Sequence, residues 1–517
     1  MAGDFWLGED DLDTLARLLR VRESVDTGEP SAVPVPVALH RYELLIGVDE
    51  QGRRFLARDP APRLRAAQLA GPEHSPEPAG EQAAAAPAAA TTAAQANTDT
   101  GQHAEAPATA TPAATAQVTT AQEASVPATT APVSPPPTAP VSPPPTAPPT
   151  SSRLIASPEF VSRWRGCLLA GAVGDALGAP IEGKTMAVVR ETYGPAGLTD
   201  LAPAYGGLGT ITDDTQMLLF TLEGLIRAHV RQRLHGAAEL RDVLQHAYQR
   251  WLHTQGVPWE RARGPKSTVE APDGELVSHR GLHHRRAPGA TCFFALEQFG
   301  KTGQPGTFAK PVNDSKGCGG VMRSAPAALW SDDVAEVFRV GAISAALTHG
   351  HPSGYLSAGA LAVLVHQLLR GAALRDALDV AVAELTGWDG HEEQVNALEQ
   401  AIDLSRRGAP SPERVAELGH GGVGESALAI AVYAATVVDD PNEALLVSVN
   451  HSGDSDSTAA VCGNILGALH GVGAIRQSWL DALEHRDIIE RLADDALAEF
   501  GAFPPTTPVW YARYPAS

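Results

Sequence analysis

The stretch NHSGDSDSTAAVCGN, residues 450–464, decides how this chain is read. Asp454 and Asp456 alternate with Ser455 and Ser457 just before a run of small and apolar residues. Beyond them Val461, Ile465, Ala468 and Leu469 recur at i, i+4, i+7 and i+8, the spacing of one buried helix face. The GDSDS run is therefore the entry to a helix N-terminus. Short acidic side chains crowded at such a point suit a hard divalent cation, which takes oxygen ligands. Asp and Ser are also favoured helix N-caps, so this run alone leaves both readings open.

A second stretch, GTITDDTQ at residues 209–216, repeats the arrangement. Asp213 and Asp214 stand ahead of Leu218, Leu222, Leu225 and Ile226, again one apolar helix face. Asp213 followed by Gln216 also fits a capping box. Two acidic helix entries, far apart in the chain and each mixing carboxylate with hydroxyl, read as two halves of one site. The dipole of each helix favours the ionised carboxylate that a cation needs.

Outward from these two runs, residues 153–517 read as one large all-α domain. Apolar residues at helical spacing predict helices over 164–177, 217–230, 240–252, 334–347, 355–369, 392–405, 425–438 and 457–470, among ten or more in all. Its opening run, RGCLLAGAVGDALGAPIEG at 165–183, has small residues that let helices approach closely. Asp175 lies inside that apolar helix and needs a partner, because an unpaired buried charge is costly. Glu182 follows just beyond it, on a loop.

The rest of the chain is of a different texture. Residues 1–71 read as a small α+β module, with a helix over 10–21 and a hairpin of 39–48 with 55–58 about the turn at 49–52. Residues 72–152 are Ala, Pro and Thr with few bulky apolar residues, a disordered linker that cannot offset its ordering entropy. Within it the octet APVSPPPT occurs twice in tandem, at 131–138 and 139–146, and predicts polyproline II. A formal charge of -21 argues against general nucleic-acid binding. Four scattered cysteines without a Cys-x-x-Cys pair suit a reducing, cytoplasmic setting. The acidic N-terminus lacks a signal-peptide pattern, and no apolar run approaches the roughly 20 residues of a membrane span.

Five motifs now stand in order: GDALG at 174–178, TDDT at 212–215, NDSKGCGGVMR at 313–323, THGHP at 348–352 and GDSDS at 453–457. Together they resemble the ADP-ribosylglycohydrolase family over about 160–475, and the resemblance does not reach 1–152. It implies an all-α fold around a dinuclear Mg²⁺ (or Mn²⁺) centre. Thr212, Asp213 and Asp214 match the family's first ligand triplet. Asp454, Asp456 and Ser457 match the second, Ser457 standing where many members have Thr and keeping the hydroxyl. Glu182 matches the carboxylate that lies beside the metals and moves when substrate enters. Asn313, Ser315, Gly317, Cys318, Gly319, Gly320 and Met322 match the loop that wraps ADP-ribose, whose backbone N–H groups can reach phosphate oxygens. His349 and Tyr355 match cleft-lining positions, and Asp175 reads as structural.

The resemblance implies hydrolysis at the anomeric carbon of the distal ribose, with ADP-ribosyl-arginine the favoured substrate. Asp213, Asp214, Asp456 and Glu182 form the set from which an acid or base partner would come. Residues 254–286, rich in charge, read either as a mobile loop that contacts an ADP-ribosylated protein or other modified target, or as a solvated connection with ordinary surface charge. The catalytic domain is expected to be monomeric. Two other classes remain open at this point: an ADP-ribose-binding module without catalysis, and a metal-dependent phosphoester hydrolase.

Overall fold

The computed structural model describes residues 157–236 and 239–516, with the backbone of three short strands nearer the N-terminus. The chain divides into two compact units, Met1–Val133 and Ser134–Ser517. In the first, β1 (Phe5–Leu7), β2 (Leu44–Val48) and β3 (Arg54–Arg58) form an antiparallel sheet in the order β1-β3-β2. Val48 lies opposite Arg54, so the expected hairpin is present, and β1 is an edge that alternation did not reveal. The helix expected over 10–21 and the stretch 72–152 lie outside the described residues.

The second unit is all-α, as its periodicity predicts. Its longer helices are α1 (Pro158–Gly178), α2 (Met186–Tyr193), α3 (Asp213–His235), α4 (Leu240–Thr254), α5 (Ala290–Thr302), α6 (Val334–Ala346) and α7 (Pro352–Leu369). Then follow α8 (Leu374–Leu385), α9 (Glu392–Ser405), α10 (Gly424–Val437), α11 (Pro441–Val449), α12 (Ser455–His470) and α13 (Arg486–Phe500). Every helix expected from spacing is found.

The helix starts are where sequence and structure differ. The acidic runs were expected as loops leading into helices at 217 and 457, yet α3 begins at Asp213 and α12 at Ser455. Asp213, Asp214, Asp456 and Ser457 therefore sit in first turns, on rigid backbone. Four N–H groups at a helix start lack intrahelical partners, so polar residues belong there and leave no apolar signal.

At the centre α1 packs along α12. From Gly166 to Gly178 every residue of α1 is buried, as are Ser455 to Ala468 of α12. A helix apolar on all sides belongs in a core, and each fully buried Leu or Val contributes roughly 1.5–3 kcal/mol. The two backbones touch because glycines face each other. A Cβ at Gly174 would lie 2.0 Å from Ala459 O, one at Gly463 2.0 Å from Ala170 O, and one at Gly467 2.0 Å from Gly166 O. Asn464 Nδ2 donates to Cys167 O at 2.8 Å across the same seam. Nearest the site, a Cβ at Gly178 would lie 2.3 Å from both the N and Cα of Asp456. The seam thus fixes where α12 presents its acidic turn.

Candidate active site

Residues 212–215 are held from beneath by Asp175. The Thr212 amide lies 3.0 Å from both oxygens of this buried carboxylate. Its Oδ2 also accepts from the Thr215 amide at 3.1 Å and the Thr215 hydroxyl at 2.5 Å. Burial pushes the Asp175 carboxyl up from the usual range, and these hydrogen bonds oppose the shift. The expected partner of the buried charge is therefore the TDDT run itself.

The same run is clamped from the other side. Arg286, 7% exposed, donates to Ile211 O at 2.9 Å and to both oxygens of Glu484. Glu484 Oε2 in turn accepts from the Ile211 amide at 3.2 Å. Burial alone would raise the Glu484 carboxyl, but its bonds and charge pairing with Arg286 outweigh this and hold it low. Neither Arg286 nor Glu484 was assigned this role from sequence. They come together across 198 residues, and no local pattern announces the pair.

With the backbone so fixed, the side chains of the two acidic turns are not spent on capping. Thr212 is the N-cap of α3 and accepts from the Asp214 amide at 3.3 Å. Gln216, the capping-box partner expected for Asp213, is drawn away instead. Its Nε2 donates to His284 O, and its Oε1 accepts from Trp251 Nε1 and Gln255 Nε2. Asp454 occupies the N-cap position of α12 without a side-chain cap bond.

Asp213 Oδ2 accepts from the Gly289 amide at 3.1 Å, and Asp454 Oδ2 from the Cys318 thiol at 2.9 Å. Asp456 Oδ1 accepts from the Ser457 amide at 3.1 Å. Asp214 Oδ1 is buried without a partner among the described residues, a costly condition for a carboxylate oxygen.

The two turns lie in each other's fields. Burial first, and then Asp214 and Asp454, push the Asp456 carboxyl well above the usual range. Burial and then Asp213 do the same to Asp214, with Ser457 opposing. Asp213 is raised likewise by burial, against the bond from Gly289. Glu182, half-buried in the turn after α1, is pushed up to about 7 by burial and by the charges of Asp454 and Asp175. As the side chains stand, no three His, Cys, Asp or Glu groups among the described residues form a ready-made metal cage. The donor set is mixed, with the Thr212 and Ser457 hydroxyls interleaved among carboxylates. All-oxygen donors of this kind suit Mg²⁺ or Mn²⁺.

The run 313–323 abuts the acidic turns and folds into a 3₁₀ turn at Cys318–Arg323. Asn313 braces it, donating to Thr348 O and accepting from the Ser315 and Gly350 amides. Ser315 Oγ accepts from the Gly317 amide and lies 3.1 Å from Thr291 Oγ1 at the start of α5. The Gly424 amide donates to Lys316 O, and the Cys318 amide to Gly422 O. The glycines are needed from the inner side. A Cβ at Gly319 would lie 2.7 Å from Cys292 Sγ, one at Gly320 2.6 Å from Gly354 O, and one at Gly317 3.2 Å from His349 Nε2.

Met322 Sδ lies 3.9 Å from Ser457 Oγ. His349 is buried beneath the run, shares a 2.8 Å hydrogen bond with Thr348 Oγ1, and is held down to about 3 by burial and by Arg323. Tyr355 is half-buried against Phe308, ring centroids 4.9 Å apart. Arg323, quoted within the motif but given no role, donates to Thr348 Oγ1 and Ser344 O and lies 4.2 Å over the Tyr248 ring.

A family model described as ADP-ribosylglycohydrolase matches residues 156–504. The chain belongs to the ADP-ribosylglycohydrolase family. It is accordingly a hydrolase, and removal of ADP-ribose is the activity its relatives' names share. It is 25% identical to ADP-ribosylhydrolase ARH3 of Danio rerio, over 66% of this chain and 92% of that one. It is 26% identical to the ADP-ribosylarginine hydrolase Tri1 of Serratia proteamaculans, over 66% and 80%. It is 26% identical to the ADP-ribosyl-[dinitrogen reductase] glycohydrolase of Rhodospirillum rubrum, over 67% and 99%.

Within this ADP-ribosylglycohydrolase domain, residues 254–286 carry local structure that the sequence reading did not predict. They contain a helical turn at Trp259–Ala262 and 3₁₀ turns at Leu276–Ser278 and Arg280–Leu282. Glu223 Oε1 accepts from the Glu275 and Leu276 amides, and Arg227 pairs with Asp273, which ties the segment to α3. Asp273, Glu275 and Arg286 are held in such pairs, whereas Lys266, Glu270, Arg280 and Arg285 are exposed. Among the described residues no helix is long and apolar enough to cross a membrane.

Proposed function

We propose that this chain removes ADP-ribose from modified arginine side chains in a metal-dependent hydrolysis. The observation that carries the reading is the meeting of two acidic helix starts around the unpartnered Asp214 Oδ1. Thr212, Asp213, Asp214, Asp454, Asp456 and Ser457 would hold two Mg²⁺ ions, with Mn²⁺ the alternative. When bound, such ions orient ribose hydroxyls and water and offset developing charge. The name of the Serratia relative favours the arginine linkage.

In the reaction the water oxygen bonds to the anomeric carbon of the distal ribose. The C–N bond breaks, its electron pair passes to nitrogen, and the departing nitrogen gains a proton. Glu182, half-buried beside the acidic turns, is assigned both transfers: its carboxyl gives the proton to the departing nitrogen, and the resulting carboxylate takes one from the attacking water. Asp213, Asp214 and Asp456 fix the reacting centre. The run Asn313–Met322 would hold the ADP-ribose through backbone amides, with His349 neutral beneath it. Residues 153–517 are proposed to form the catalytic domain, preceded by a module of residues 1–71 and a linker.

The test is release of ADP-ribose from an ADP-ribosyl-arginine peptide by the full chain with Mg²⁺, with chelator, and as an Asp454→Ala, Asp456→Ala double variant. Metal-dependent release that vanishes in the variant is expected. Release of AMP or phosphate instead would refute a glycosidic cleavage. Retained activity in the double variant would refute the site.

A further inference from the structure

Tyr205 stands at the edge of the acidic turns, and the reaction as proposed leaves it unused. Its φ is 50°, in the left-handed region that side chains disfavour, within a turn closed by two hydrogen bonds between Ala204 and Gly207. Outliers of this kind persist where the surroundings enforce them, and they gather at ligand sites. Here the surroundings also leave the residue 48% exposed. Among the described residues its hydroxyl has no hydrogen-bond partner, so the ring is the part with work left to do.

The ring's position is fixed by Arg286, whose guanidinium lies 5.7 Å from the ring centroid. Arg286 is itself locked to Glu484 and to Ile211 O, one residue before Thr212. The charges of Glu182, Asp456, Asp175 and Asp213 all reach the phenol and, with burial, hold its proton on. An aromatic face attracts a cation, and a planar guanidinium stacks on it.

We propose that Tyr205 recognises the leaving group, its exposed ring stacking on the guanidinium of an ADP-ribosylated arginine and so selecting arginine-linked over O-linked substrates. This rests on the hydrolase reading above. Tyr205 is then a specificity residue outside the set that binds metal and ADP-ribose.

The test compares the full-length wild type, Tyr205→Ala and Tyr205→Phe, with Mg²⁺, on an arginine-linked and a serine-linked ADP-ribosyl peptide. Agmatine serves as a competing guanidinium probe. In the Ala variant kcat/KM for the arginine-linked peptide falls about tenfold, chiefly through KM, and agmatine inhibition weakens by a similar factor. The Phe variant stays within about twofold of wild type on both measures, because the ring is kept. Any serine-linked cleavage is unchanged in the Ala variant. Equal losses on both peptides, an unaltered Ala variant, or a Phe variant as weak as Ala would each overturn the proposal. A wild type that cleaves only the serine-linked peptide overturns it too. A wild type inert on both peptides refutes the hydrolase reading and takes this proposal with it.

Discussion

Replacing Gly178 by alanine adds one methyl group at the point where α1 presses on the acidic turn of α12. That Cβ would lie 2.3 Å from Asp456 N and Cα and 2.5 Å from Ser455 C, all backbone atoms that no rotamer change can move aside. To restore ordinary contact the start of α12 must retreat by about 1 Å, and overpacking of this kind typically costs about 1–3 kcal/mol. Because the displaced residue is Asp456, a shift of about 1 Å is expected to lower ADP-ribose release by roughly 100-fold.

Two control substitutions separate the effects. Gly166→Ala strains the same seam at its far end, 2.6 Å from Gly467 O, so it should destabilise while sparing activity per folded molecule. Gly473→Ala meets nothing within 4 Å and should change neither. Thermal melts and initial rates of ADP-ribose release, on the full chain, read both quantities. A Gly178→Ala protein that melts and turns over like the Gly473→Ala control would refute the seam as the positioning element.

Other consequences can be checked with initial rates and urea melts. Asp175→Asn should lower activity at least about tenfold, since an amide NH2 would face the Thr212 N–H and leave one oxygen for the three donors of Thr212 and Thr215; an active variant would remove its bracing role. Arg286→Leu leaves Glu484 half-buried without its cation and frees Ile211, and should cost about 3–5 kcal/mol in a urea melt. His366 is held down to about 4 by burial and Arg370, and titrates near 6.5 in the unfolded chain. Its stability contribution is therefore full above pH 6.5 and falls by about 1.4 kcal/mol per pH unit down to about pH 4, where the folded state also takes the proton. His366→Asn should flatten the wild-type acid slope of the urea midpoint by that amount over this window, and an unchanged slope would sink the argument.

What was legible in the chain was what repeats locally. Val461, Ile465 and Ala468 are buried as their spacing required, Leu469 is half-buried, and the carboxylates beside them marked the candidate site. The small residues of α1 also said that helices would approach closely there, though not which helix would meet it. Less visible were relations set by tertiary packing. The capping box at Asp213 and Gln216 is well formed on paper, but Trp251, Gln255 and His284 compete for the glutamine and win. Segment 254–286 looked like an open loop because it is charged. Its partners Glu223, Glu484, Arg491 and Arg513 lie on other elements, and pairing with them makes it folded structure. Tyr205 carries no warning beyond the glycines that follow it, since a strained φ is imposed by neighbours and not chosen by the residue.

The α1–α12 seam sets a timetable for the nascent chain. Asn464 bonds to Cys167 across 297 residues, so at translation rates of about 5–20 residues per second α1 waits roughly 15–60 s for its partner. Through that interval a helix apolar on every side has no α12 to cover it. Until α12 leaves the ribosome, Asp456 has no Gly178 to rest against, and a truncated product would hold the TDDT turn but no site. The pairing of the two acidic turns is thus among the last things this domain assembles.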